Sequence, residues 1–358
     1  MTKPKHNNPD SRTSTGKGFN FSASTIIIPG LFLVMILIML WSLTLGRYPL
    51  SVKDIITILT TTGPGEVHSY ADTPRIIVEI VRLPRILLVA MCGIGLAMSG
   101  AAMQGVFRNP LVGPEIVGVS SGASFGGVLA IMLGWSLGGI VALSFCFGLG
   151  ALLAAFILAR LAGRSGILGL VLAGVIISSF FGAMVGIAQY LANPDTKLPG
   201  IIYWLMGSFA SATYPKVALM AGITLVAGGL LMAMRWRINL LSLDEADAEA
   251  LGVNVDLFRW GSVALVALIV GAQVSVSGGV GWVGLVIPHL ARMLVGPEHT
   301  RLLPASAFLG GLYLVLMDTI ARSLMPQEIP IGILTAIIGT PVFVILFWKM
   351  QGKGWSND

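Results

Sequence analysis

Residues 116–159 read IVGVSSGASFGGVLAIMLGWSLGGIVALSFCFGLGALLAAFILA, with no Asp, Glu, Lys or Arg among them. A helix needs about 20 apolar residues to cross the hydrocarbon of a bilayer. This run holds enough for two crossings, and GWSLGG at 134–139 supplies the break between them. Working outward, charge-free runs recur at 18–46, 86–107, 165–194, 217–234, 260–291 and 329–348. The 260–291 run is again too long for one helix and breaks at SGGVG, 277–281. Segment 302–321 is apolar but for Asp318.

The sequence therefore predicts an all-α, polytopic membrane bundle of about ten spans. They fall near 26–46, 86–107, 116–133, 138–160, 168–192, 215–234, 258–276, 281–296, 302–321 and 330–349. Composition agrees: 55% of the 358 residues are hydrophobic and 11% charged, with a mean hydropathy of +0.88. Soluble domains carry about 25% charged residues, so most of this surface has lipid as its solvent.

Residues 1–25 form a polar tail with Lys3, Lys5, Arg12 and Lys17. The apolar run after it is longer than a signal-peptide core and ends in LGRYPL, so it reads as a retained first helix. Residues 26–350 are then one membrane domain, and 351–358 a short tail. Ten spans put both termini in the cytoplasm, which places 14 of the 22 Lys and Arg inside. Five of the remaining eight cluster in 47–85 and ask for a reason.

Two stretches outside the spans are sizeable, 47–85 outside the cell membrane and 235–258 inside. Both fall short of a domain of ordinary size. Glycine, 45 residues, is about twice as common as usual. Gly118, Gly122 and Gly126, and Gly182 and Gly186, have the spacing that lets helices approach closely in lipid. Gly and Pro also interrupt apolar segments at 108–114, 277–288 and 326–332. Such backbone survives at membrane depth only beside protein or a water-filled cavity.

Catalytic and cofactor chemistry is not visible. There is no phosphate-cradling GxxxxGK[ST], no HExxH and no nucleophile elbow with partners. Cys92 and Cys146 lie in apolar spans without a CxxC, and His6, His68, His289 and His299 are scattered. No catalytic residue, metal ligand or cofactor is assigned. Asp318 is the main intramembrane acid, too little for a transporter coupled to an ion gradient. A partner that supplies energy is implied. One candidate contact for it is LSLDEADAEALGV at 241–253. Ser242 is a possible N-cap, acids fill the first turn and Gly252 ends the helix.

The ordered motifs RLPR (82–85), SGAAMQGVFRNPLVGPEIVGVSSGA (99–123), LAGV (172–175), YWLMGSF (203–209), ALGV (250–253), GWVGLVIPHLAR (281–292), DTIAR (318–322) and EIPIGILTAIIGTPVF (328–343) resemble one family. These are the permease subunits of binding-protein-dependent ABC importers for iron–siderophores, haem and cobalamin, the FecCD type. The resemblance spans about residues 30–350. It implies the type II importer permease fold and two permease subunits around a central path; full-length motifs in one chain allow a homodimer or a heterodimer with a paralogue, and the homodimer is the reading preferred here. It further implies two cytoplasmic ATPases holding ATP and Mg, a periplasmic binding protein, and a bacterial inner membrane; nucleic acid has no part.

Residue by residue, the resemblance places binding-protein docking on Arg82, Arg85 and Arg322, which would meet glutamates. A planar guanidinium suits that pairing, and the assignment explains the basic outer segment. ATPase coupling falls on Leu243, Asp244, Glu245, Asp247, Glu249, Leu251 and Gly252. Glu249 stands where relatives often carry Arg or Gln, which implies a basic rim on this ATPase. The cytoplasmic gate carries over to Asn109 and Leu111, and to Ser165 and Leu168. His289, in IPH, reads as structural.

The expected function is the permease of an ATP-driven importer carrying a ferric siderophore. Haem, cobalamin and molybdate or tungstate remain open as cargo. No Lys or Arg lies within 86–107, 116–159 or 168–192, which disfavours a tight oxyanion site. A lone secondary transporter would need more buried acids, and a membrane enzyme would need clustered His, Asp or Glu.

Overall fold

The computed structural model describes residues 21–46, 48–60, 73–161, 167–242, 245–252 and 254–354. Every regular element among them is helical. The chain runs through α1 (Phe21–Thr44), a short α2 (Val52–Thr60) and α3 (Leu83–Val106). A 3-10 turn, Pro114–Val117, leads into α4 (Val119–Met132), then α5 (Leu137–Leu161) and α6 (Ile167–Leu191). After α7 (Leu198–Leu205) comes α8 (Tyr214–Ala233), followed by the short α9 (Arg235–Leu241) and α10 (Glu245–Ala250). The last four are α11 (Val255–Ser277), α12 (Val283–Val295), α13 (His299–Ser323) and α14 (Ile331–Gly354).

Seven of these helices, α3 counted with the turns that precede it, are long and apolar enough to cross a membrane. Three shorter apolar helices, Val119–Met132, Val283–Val295 and Ile331–Leu346, complete the set of ten that the sequence predicts. The chain is thus a multi-pass membrane helix bundle.

Its centre is α3, continuous with Thr73–Ile76 and a π-helical segment Ile77–Arg82. The most apolar window of this 34-residue helix is 83% buried, against 17% for α1 and α6. α13, α8, α12 and α11 pack around it, while α4, α5 and α6 form a second group joined through α11. Close approach explains the tightness. A Cβ at Gly93 of α3 would strike the Gly310 carbonyl of α13, and one at Gly100 would strike the Gly284 carbonyl of α12. Backbones in lipid gain their van der Waals contact where such residues meet. Gly122 and Gly126 do the same for α4 against α5, whereas Gly182 and Gly186 of α6 face open space.

The π segment has a local cause. Pro84 lacks an N–H, and the Leu83 N–H reaches back to the Val78 carbonyl, one residue further than in an α-helix. The wider turn carries Arg82 into the bundle. Residues 73–85, read from the sequence as outside the spans, are therefore the first turns of the central helix.

Candidate functional site

Two ends of the bundle carry the residues of interest. At the end that bears α2, the last turns of α1 and α13 meet the first turn of α3. Ser42 Oγ and Thr319 Oγ1 share a hydrogen bond of 2.7 Å there. Arg82, Arg85 and Arg322 converge at this end, with exposures of 5%, 7% and 7%.

Their partners differ. Arg82 donates to the Leu43 and Tyr48 carbonyls. Arg322 donates to the Leu45 and Ser42 carbonyls and to Ser42 Oγ. Both thus satisfy the free carbonyls where α1 ends. Arg85 instead holds two acids. Its Nε lies 3.0 and 3.1 Å from the two Asp318 oxygens, and its Nη2 2.9 Å from Oδ1. Its Nη1 and Nη2 also reach Glu328 Oε1 and Oε2 at 2.9 and 3.0 Å. Asp318 lies 3.8 Å from Arg322 Nε as well.

Among the described residues three cations here face two anions, and the cluster opens outward. A cleft of about 240 Å³ is lined by Gly46, Tyr48, Ile77, Val81, Arg82, Arg85, Arg322 and Glu328. A neighbouring hollow of about 490 Å³ runs from Gly46 and Arg322 along residues 323–326. Asp318, in the sequence the main intramembrane acid, is a full partner of Arg85. Sequence reading quoted Glu328 within EIPIG but gave it no role. The 233 and 243 positions that separate Arg85 from its two acids leave no local pattern to find.

Outside the spans at this end, Ser51 and Asp54 cap α2 reciprocally. Ser51 Oγ and N donate to Asp54 Oδ2 at 2.7 and 3.1 Å, and Asp54 N donates to Ser51 Oγ at 3.2 Å. The Ser51 hydroxyl, then its amide, holds the Asp54 carboxyl below the usual range.

The opposite end carries α9 and α10. Leu243, Asp244 and Ser165 lie outside the described residues. Glu245 begins α10. Asp247 and Glu249 are exposed, as is Leu251, while Ala248 is fully buried. Gly252, at φ +79°, closes the helix with its N–H on the Glu249 carbonyl at 2.8 Å. Ser242, a candidate N-cap from sequence, donates its hydroxyl to the Asn239 carbonyl and so closes α9 instead. Trp236 of α9 and Leu257 of α11 are exposed as well.

Between α3 and α4 the chain turns at 107–118. Asn109 Oδ1 accepts the Leu111 N–H at 2.9 Å, and both side chains are exposed. The local cause is the Asx turn that Asn favours. Arg108, at φ +50°, donates from Nε to the Leu241 carbonyl at the end of α9. The chain then folds back along α3. Pro114 packs on Gly284, which itself abuts Gly100, six residues inside the end of α3. The Ile116 carbonyl rests on Gly174 of α6. α6 starts with the exposed Leu168, and Leu172, Val175, Ile176 and Phe180 continue an unpartnered apolar face.

Glu115 projects from this turn. Its side chain is exposed, yet protein surrounds it closely enough that burial raises its carboxyl above the usual range. Sequence reading did not single it out, because a turn between spans reads as a loop in water.

His289 sits in α12 with Nδ1 3.3 Å from the Leu285 carbonyl and its ring on the edge of Phe343. Among the described residues no three His, Cys, Asp or Glu side chains converge as metal ligands.

Residues 33–349 match the FecCD transport family. The molybdate import system permease protein MolB of Haemophilus influenzae is 44% identical over 332 residues, covering 93% of this chain and 98% of its own. The hemin transport system permease protein HmuU of Yersinia pestis is 36% identical over 328 residues, with 90% and 95% covered. The solved structure of a metal-chelate type ABC transporter in an inward-facing conformation superposes with a TM-score of 0.82 at 43% identity, covering 91% of this chain and 99% of that one. The chain belongs to the FecCD transport family and is a membrane permease of an ABC importer.

Proposed function

We propose that two copies of this chain form the translocation path of an importer for a metal chelate, with a ferric siderophore as cargo. The observation that carries this reading is the cleft at the α2 end, where, among the described residues, three arginines outnumber two acids. A loaded binding protein docks there, its carboxylates meeting the net positive cluster of Arg82, Arg85 and Arg322. That end faces away from the cytoplasm of a bacterial inner membrane, and both termini lie inside. Charge complementarity of this kind steers encounter and fixes register.

At the other end, Asp247, Glu249 and Leu251 with Gly252 form the exposed part of a knob for the ATPases. Leu243, Asp244 and Glu245 belong to the same segment. The ATPases hold ATP and Mg and do the hydrolysis; this chain is not catalytic. The gate is the exposed pair Asn109 and Leu111 together with Leu168, in the first turn of α6, and Ser165, which precedes that helix in the sequence. Specificity rests mainly with the binding protein, because a path must release what it admits.

A molybdate or tungstate importer is the second reading, favoured by the 44% identity to MolB. Glu115 argues against it. A bare oxyanion at the 109–118 turn would meet a carboxylate, and neither α4 nor α6 carries a Lys or Arg. A metal wrapped in an organic ligand needs no cation in the path.

The test is a gentle detergent purification of the tagged chain from native membranes. An ATPase and a solute-binding protein should co-purify, and elemental analysis of the latter should find iron. Molybdenum or tungsten would select the second reading. Recovery of the chain alone, active under an ion gradient, would sink both.

A further inference from the structure

Arg85 is bonded by two carboxylates where one would neutralise it. The two are not equivalent. Asp318 is enclosed, with its side chain 3% exposed, and it spans Arg85 and Arg322 within the bundle. Glu328 stands at the rim of the cleft, 27% exposed, and bonds Arg85 alone with both oxygens. Arg82 and Arg322 spend their forks on main-chain carbonyls of the α1 end. The bonds to Leu43 and Ser42 are buried and cannot be given up without leaving those carbonyls unpaired. Among the described residues, the Glu328–Arg85 bond is the charge-assisted contact lining the cleft that a second carboxylate can replace without orphaning a buried group. Its geometry, a carboxylate on two guanidinium nitrogens, is also the geometry an incoming Glu or Asp would take.

Glu328 is also tied to the interior of the bundle. The Ile329 N–H bonds the Ala321 carbonyl at 3.1 Å. Three residues beyond Glu328, the Ile331 N–H bonds the Gly207 carbonyl, and the Gly332 N–H bonds the Met206 carbonyl, both at 3.0 Å. Gly207 in turn fits against the Gly279 carbonyl at the break between α11 and α12. A displacement at Glu328 is therefore passed along three residues to the place where the breaks at 277–288 and 326–332 meet the turn at Met206 and Gly207.

We infer that Glu328 is an internal stand-in for the carboxylate of the docking partner, held on Arg85 until that partner exchanges with it. The exchange transfers no proton and conserves charge at Arg85. The freed Glu328 swings into water, and residues 328–332 loosen from Met206 and Gly207. The inference rests on the docking reading above and names the residue through which docking reaches the interior. It makes Glu328 a positioning residue whose removal strengthens docking, opposite to the effect expected of a docking residue.

The experiment uses the complete permease–ATPase complex in lipid nanodiscs and its binding protein. E328Q keeps size and weakens the competitor. Its Kd for the binding protein should fall about tenfold, and E328D should restore wild-type affinity. Hydrogen exchange at the Ile331 and Gly332 amides should rise on docking in the wild type, and should already be raised in undocked E328Q. R82Q and R322Q should weaken docking. If those two weaken docking while E328Q binds no tighter and its amides stay protected, the exchange is wrong and the docking surface stands. If neither arginine variant changes docking at any salt concentration, the docking reading itself fails, and the stand-in with it.

Discussion

Glu115 shows how a single residue escapes a sequence reading. Its turn was legible, because Asn109 and Pro110 mark it. Its depth was not, because nothing local says that Pro114 returns to the level of Gly100. Burial raises its carboxyl, so the folded state resists ionisation more than the unfolded chain does. The resulting penalty is absent below the unfolded pKa, grows as pH rises from there to the folded pKa and is constant above it. E115Q removes a charge that the fold holds at a cost. Its thermal midpoint in detergent should exceed the wild type by on the order of 1–2 °C near pH 8, with the gap closing near pH 4. A gap that is constant across a pH series would show that solvent reaches the carboxylate freely. The arginines give the converse lesson. Motifs singled out Arg82, Arg85 and Arg322, but four of the groups that hold Arg82 and Arg322 are main-chain carbonyls. A bond to the backbone leaves no trace in side-chain chemistry.

Among the elements, the long apolar spans were legible because about 20 uncharged residues have few other uses. The short helices were harder. α9 (Arg235–Leu241) is seven residues with two arginines, and its amphipathic signal is too brief to stand out. It is nonetheless well anchored. The Asn239 Oδ1 accepts the His299 N–H at 2.7 Å and faces His299 Nδ1 at 2.8 Å, while Ile238 and Leu241 are buried. Arg108 joins the Leu241 carbonyl to the turn that carries Asn109 and Leu111. Movement of α10 against its ATPase thus has a path of adjacent residues to the proposed gate. R108Q should leave ATPase assembly intact and lower transport severalfold for each ATP hydrolysed. Parallel assays of hydrolysis and uptake in proteoliposomes measure that ratio. An unchanged ratio would mean that Arg108 only secures the turn, as its φ of +50° also permits.

At the scale of the whole molecule, burial sorts the spans into an inner set, α3, α11 and α13, and an outer set, α1, α5 and α6. The sequence announced ten apolar segments without ranking them, since lipid and protein interior favour the same residues. Small residues are no guide either: Gly93 and Gly310 touch, whereas Gly182 and Gly186 do not. What ranks the helices is which backbones meet, and that is decided between segments far apart in the chain. The same limit applies to orientation. All ten helices could be inverted in the membrane without changing one contact, so orientation rests on the charge bias and on the two ends having different partners. Labelling from one side decides it. In a C92A/C146A background, D54C and D195C should react with a membrane-impermeant maleimide in intact spheroplasts, because both positions are exposed at the α2 end. S242C, exposed at the end of α9, should react only after denaturing detergent, which also removes any ATPase that covers it. The reverse pattern would put the acidic knob outside the cell membrane, where no ATP is available to a docked ATPase, and would turn the arginine cleft towards the cytoplasm. The importer could not then work in the direction proposed.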